Sequence, residues 1–109
     1  MTEFKVFWTR TAQQDLQRII EYIAADSQAE ARAIFTEIRQ KAAGLNHLPQ
    51  RGRIVSELIY FGISGYREII HQPWRIIYKV EADRVWVLAV IDSRRNVEDL
   101  LLARLIEGE

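Results

Sequence analysis

Seven basic residues (Arg39, Lys41, Arg51, Arg53, Arg67, Arg75 and Lys79) fall between positions 39 and 79, against only two acidic ones, Glu57 and Glu68. This +5 stretch lies between flanks of −2 and −3, so a chain of zero net charge can still carry one positive patch. Such a patch attracts anions over roughly a Debye length, ~8 Å at physiological salt. Strand alternation puts Arg75, Ile77 and Lys79 on one face of their segment and Trp74, Ile76, Tyr78 and Val80 on the other. The face with Arg75 and Lys79 is expected to meet solvent. Arg67 lies on the neighbouring run, and Arg94-Arg95 follows the last one. Arg67, Arg75, Arg94 and Arg95 are therefore expected to gather beside an open sheet surface, where the guanidinium fork suits phosphate or carboxylate. The alternative is that each arginine is solvated or paired with the acidic flanks, at ~0–1 kcal/mol apiece.

Groups able to move a proton are few. His71 ionises in a useful range, but it precedes Gln72-Pro73 in an expected turn, where a plain exposed imidazole is the simpler reading. Glu57 and Glu68, set among arginines, are expected to pair charge. There is no Ser-His-Asp spacing, Gly-rich phosphate loop or metal motif. Cysteine is absent, which excludes disulfides, thiolate chemistry and Cys-based zinc sites and permits a reducing compartment. His47 and His71 stand far apart, so neither metal nor cofactor is expected.

The elements that must position these groups read in order. Residues 3–8 alternate as a short strand through Phe4, Val6 and Trp8. Thr9 or Thr11 opens a helix whose stripe is Ala12, Leu16, Ile19, Ile20 and Ile23, with Asp15, Gln14, Gln17, Arg18 and Glu21 mostly on the opposite side. Ser27-Gln28-Ala29-Glu30 reads as a capping box before a second stripe of Ala31, Ile34, Phe35, Ile38, Ala42 and Leu45, stopped by Pro49. So short a break predicts an antiparallel helical hairpin. Residues 48–65 are irregular, with an extended piece expected within 54–61. Runs at 66–71, 74–80 and 84–91 are rich in β-formers and separated by tight turns, which predicts an antiparallel meander. Asn96 can cap a closing helix.

The sum is an α+β domain over residues 1–109: an N-terminal strand, a helical hairpin on a small antiparallel sheet (β-α-α-β-β-β), and a short C-terminal helix. With 49% apolar and 28% charged residues and no apolar run of 18, the composition is that of an ordinary globular domain without a membrane span. No secretion signal is recognisable, and a cytoplasmic location is expected. The hairpin stripes, Leu16, Ile20, Ile34, Phe35 and Ile38, are either consumed by the sheet or open to a partner's amphipathic helix.

Two sets of residues carry a family likeness. Gly65-Tyr66-Arg67-Glu68-Ile69, Trp74-Arg75-Ile76-Ile77-Tyr78-Lys79-Val80 and Val85-Trp86-Val87-Leu88-Ala89-Val90-Ile91-Asp92-Ser93-Arg94-Arg95-Asn96 resemble the C-terminal half of the ParE/RelE toxin superfamily. Thr9-x-x-Ala12-x-x-Asp15-Leu16-x-x-Ile19-x-x-Tyr22-Ile23 is similar to the first helix of its ParE branch. The resemblance implies the toxin of a type II toxin–antitoxin pair, silenced by a cognate antitoxin, as a homodimer or a toxin–antitoxin hetero-oligomer.

RelE-like members cut messenger RNA on the ribosome with basic residues and an acid–base side chain. Under that reading Arg75 and Arg95 match two of the arginines, with Glu57 or His71 as the acid–base group. However, the positions that carry lysines in that branch fall near Tyr66 and Glu68, and its late tyrosine falls near Leu101. ParE-like members poison DNA gyrase instead. Asp92-Ser93-Arg94-Arg95-Asn96 through Arg104-Leu105 is similar to their ending, with Asp92 where many carry histidine. The resemblance thus favours a ParE-like gyrase poison, with Arg67, Arg75, Arg94 and Arg95 facing the target and the hairpin stripes facing the antitoxin. A ribosome-dependent ribonuclease is the alternative, and a degraded toxin that survives only as a binding partner is a third.

Overall fold

The computed structural model of the chain describes residues 3–107. In order come β1 (Lys5–Trp8), α1 (Arg10–Ala24), α2 (Gln28–Ala43), β2 (Arg53–Ile54), α3 (Ser56–Ile59), β3 (Tyr66–His71), β4 (Trp74–Glu81), β5 (Arg84–Asp92) and α4 (Val97–Glu107), with two 3-10 turns at Gly44–Asn46 and Pro49–Arg51. The helix starts are where local chemistry puts them. Thr9 accepts from the Ala12 N–H at 3.1 Å and Ser27 from the Glu30 N–H at 3.1 Å. Asn96 accepts from the Asp99 N–H at 3.1 Å. Each contact satisfies a first-turn N–H that the helix itself cannot.

The five strands run in the order β1-β5-β4-β3-β2. The expected meander β3-β4-β5 is antiparallel, and so is β2 against β3, but β1 lies parallel to β5 and makes the sheet mixed. A parallel neighbour needs a crossover. Here the α1–α2 hairpin crosses one sheet face and leaves β1 and β2 at opposite edges. The extended piece expected within 54–61 is shorter than anticipated: after β2 the chain turns into the single helical turn of α3.

Helices pack on both faces of the sheet. On one, Ala12, Leu16, Ile38 and Ala42 pack on Ile76, Val87 and Val90. On the other, Val55 ahead of α3, Leu58 in α3, and Val97 and Leu101 in α4 pack against Ile77, Ala89 and Ile91. The alternation read for β4 holds, but its Arg75–Ile77 face is not the solvent face expected, because α3 and α4 lie on it.

Residue 52 must be glycine for lack of space. Its N–H donates to the buried Tyr78 hydroxyl at 3.0 Å, and that hydroxyl donates to the Pro49 carbonyl. A Cβ at Gly52 would stand 2.2 Å from the Tyr78 oxygen and 2.7 Å from the Glu68 carbonyl oxygen. Gly52→Ala is expected to destabilise the chain by about 1–3 kcal/mol, as overpacking does, read as a lowered urea midpoint. An unchanged midpoint would mean that the Tyr78 clamp yields without cost.

Candidate functional site

The middle-segment cations do not form one patch. Arg75 is only 7% exposed. Its Nη1 and Nη2 donate to the two oxygens of Glu57 at 2.7 and 2.8 Å, and its Nε to Glu68 at 2.5 Å. Arg53 completes the chain by donating to the other Glu68 oxygen at 2.7 Å. The network ties α3, β4, β3 and β2 together. The paired Arg75 guanidinium holds the Glu57 carboxyl down at about 2, and Arg75 itself is pushed up by the same pairing. Arg67 is on the opposite face of β3 from Glu68, and its Nη1 donates to the Gly52 carbonyl at 2.8 Å. Lys41 donates to the Ile70 carbonyl, Lys79 pairs with Glu81, and Arg39 lies over the Trp8 and Phe35 rings. Thus the expected cluster of Arg67, Arg75, Arg94 and Arg95 on an open face is corrected: burial and internal pairing withdraw the first two, and the last two stand apart from them.

Arg94 and Arg95 project from the β5–α4 loop. Arg94 donates to Asp92 through Nε and Nη2, at 2.9 and 2.6 Å, which holds the Asp92 carboxyl at about 2. The Arg95 side chain makes no hydrogen bond or ion pair among the described residues. His71 contacts Glu37 at 3.0 Å and stacks on Trp74, so it is half-buried and partnered.

On the hairpin the expected partner-facing set divides. Leu16 and Ile38 belong to the core. Ile20 and Ile34 are half-buried and Phe35 is 43% exposed. A groove of about 310 Å³ runs between Trp8, Leu16, Ile20, Phe35 and Arg39. The sheet also keeps one uncovered strip on its α4 side. Phe7, Trp86, Lys79 and Tyr66 stand in register across four strands, with Phe7 stacked on Trp86 at 5.0 Å.

One pair went unread in the sequence. Asp15, assigned by periodicity to the solvent side of its helix, is 7% exposed. It accepts from the Val90 N–H at 3.0 Å and from both terminal nitrogens of Arg104, at 3.0 and 2.7 Å. Arg104 Nη1 also reaches the Leu88 carbonyl at 3.3 Å. Leu88 is the residue by which β5 slips against β4, since Ile77 pairs with Ala89 but Tyr78 with Val87. Beyond β1 the edge of β5 is bare, and Asp15 and Arg104 close it from the two sides.

Among the described residues no group of three or more His, Asp or Glu is placed to hold a metal ion, and no helix is long and apolar enough to cross a membrane. The Arg75 guanidinium is spent on two carboxylates, the Glu57 carboxyl is held well below the usual carboxylate range, and Leu101 is a core residue 5% exposed.

The family model described as the ParE toxin of the type II toxin–antitoxin system parDE matches residues 6–97. The chain belongs to the ParE toxin family. It is 27% identical over 94 residues to toxin ParE3 of Caulobacter vibrioides, covering 85% of this chain and 90% of that one. Two solved structures share the fold. The chromosomal ParDE system from P. aeruginosa matches with a TM-score of 0.68 at 18% identity, over 83% of this chain and 96% of that one. The toxin–antitoxin complex RelBE2 from Mycobacterium tuberculosis matches with a TM-score of 0.63 at 21% identity, over 84% and 93%. The ParE/RelE superfamily and the α+β fold expected from the sequence are both borne out.

Proposed function

We propose that this ParE-family chain arrests growth by poisoning DNA gyrase through protein–protein contact, and that a cognate antitoxin silences it. The observation that carries the non-catalytic half of this reading is the locked Arg75. A ribonuclease needs a free cation beside the scissile phosphate and a group that exchanges protons. Here Arg75 on the central strand β4 is paired with carboxylates on both sides, and the Glu57 carboxyl lies far below the working range. The uncovered strip of Phe7, Trp86, Lys79 and Tyr66 does not rescue RNA binding, because Glu81 pairs with Lys79 at 2.9 Å and opposes a phosphate backbone there.

For the antitoxin, the hairpin groove offers Trp8, Ile20 and Phe35 as apolar anchors with Arg39 at its rim, which suits an amphipathic segment carrying acidic residues. Purified chain added to gyrase and plasmid is expected to stop supercoiling or accumulate cleaved plasmid, and prior mixing with the antitoxin to prevent it. Undisturbed supercoiling, together with cuts in messenger RNA at the ribosomal A site, would overturn this in favour of the RelE-like reading.

A further inference from the structure

A second cleft, of about 440 Å³, opens between α1, the Gln72–Pro73 turn and the β5–α4 loop. Its lining is apolar at the base, with Ile19, Trp74 and Leu100 half-buried, while Tyr22 stands 82% exposed at the side. Four guanidinium groups face it, from Arg18, Arg94, Arg95 and Arg104. Two are consumed internally: Arg104 by Asp15 and Arg94 by Asp92. Arg18 and Arg95 are exposed, and their side chains have neither a hydrogen bond nor an ion pair among the described residues. The cleft therefore ends in two uncommitted forks beside apolar surface. An ion pair at such a site gains strength from the water it excludes, and its geometry selects a carboxylate.

We infer that this cleft is where the toxin grips its protein target, and that the occupant is an acidic segment whose carboxylates meet Arg18 and Arg95 while an adjoining apolar side chain rests on Trp74 and Leu100. This rests on the reading of the chain as a toxin that acts by protein contact. Two observations favour a protein segment over a nucleic acid strand. Glu30 and the arginine-paired Asp15 and Asp92 interrupt the lining, so its positive charge stands at the separate points of Arg18 and Arg95, which suits individual carboxylates and not a continuous line of phosphates. The base is apolar enough to hold an aliphatic or aromatic side chain. Arg18 lies three residues from Asp15 and was assigned in the sequence to a solvated helix side. Only the fold brings it to the cleft that Arg95 also lines.

The test is the double variant Arg18→Glu, Arg95→Glu, made in the full chain and produced from an inducible promoter. It is expected to need at least about tenfold more toxin than wild type for the same growth arrest, since two reversed charges face the same acidic partner. It should keep its melting midpoint within about 2 °C and bind the antitoxin as wild type does. The Arg18→Lys, Arg95→Lys variant, which keeps the charge, should fall between. Growth arrest equal to wild type would overturn the inference. So would parallel losses of antitoxin binding and stability, or loss of an intrinsic affinity for duplex DNA that wild type shows without gyrase. If wild type arrests growth but leaves gyrase supercoiling intact, the gyrase reading fails, and the cleft still stands or falls by the double variant. If wild type does not arrest growth at all, both fall.

Discussion

Arg75→Ala is expected to cost about 3–5 kcal/mol of folding stability, a large share of the roughly 5–15 kcal/mol of a typical domain. The reason is asymmetric. Arg75 carries one charge between two carboxylates, and the Glu68 side chain is 1% exposed. With the guanidinium gone, Glu68 keeps only the exposed Arg53 as its ion-pair partner among the described residues, and Glu57 loses both hydrogen bonds from Arg75. A stranded buried charge costs more than the intact pair contributes. Equilibrium urea denaturation reads the loss directly. A loss under about 1 kcal/mol would show that water reaches Glu68 freely. Arg75→Met combined with Glu57→Gln and Glu68→Gln is expected to recover most of the loss, because no charge is then left buried.

The same network sets an acid limit. Glu57 stands at about 2 in the folded chain against 4.5 for an ordinary glutamate. A carboxyl whose folded value is depressed stabilises the fold fully above its unfolded value and loses that contribution as pH falls through the folded one. The Glu57 contribution should therefore be complete above about 4.5 and fade toward about 2. In Arg75→Ala the depression shrinks to what the Glu57 backbone N–H and the Arg53 charge sustain, so the gap between wild type and variant should narrow as pH falls through that window.

What the sequence could disclose was local. Thr9, Ser27 and Asn96 each bond an N–H three residues on, and period-of-two runs found β3, β4 and β5. What it hid is set by distance or brevity. The single turn of α3 is too short for any period, yet it carries Glu57 onto Arg75 and closes the face read as open. Asp15 looks solvated by periodicity because its partner Arg104 lies 89 residues away. The parallel seat of β1 leaves no trace in its own alternation. For the site, charge counting found the right residue type in the wrong place. The arginines with most neighbours in sequence are spent inside the fold, while Arg18, alone on its helix turn, joins Arg95 at a cleft. The family resemblance reached further than the residues did, since it reads order along the whole chain and not any one contact.

Arg104→Ala carries the second large expectation, a loss of about 3 kcal/mol, because it leaves the Asp15 carboxylate buried with only the Val90 N–H as donor. Asp15→Ala should cost less, about 1–3 kcal/mol. It strands the Val90 N–H, but the freed Arg104, a quarter exposed, can turn to water. Since both deletions remove the same clasp, the double variant should lose clearly less than the sum, with a coupling of about 0.5–3 kcal/mol. Additive losses would mean that the two side chains do not depend on each other. The clasp is also the tie that holds α1 and α4 across the bare edge of β5, so its loss should speed amide exchange in α4 before the hairpin core of Leu16 and Ile38 responds. Arg18 on α1 and Arg95 ahead of α4 stand on the two elements so joined. A toxin lacking Arg104 should therefore lose grip on its target at temperatures where its sheet is still folded, and growth-arrest titration beside hydrogen exchange over 97–107 would separate that loosening from global unfolding.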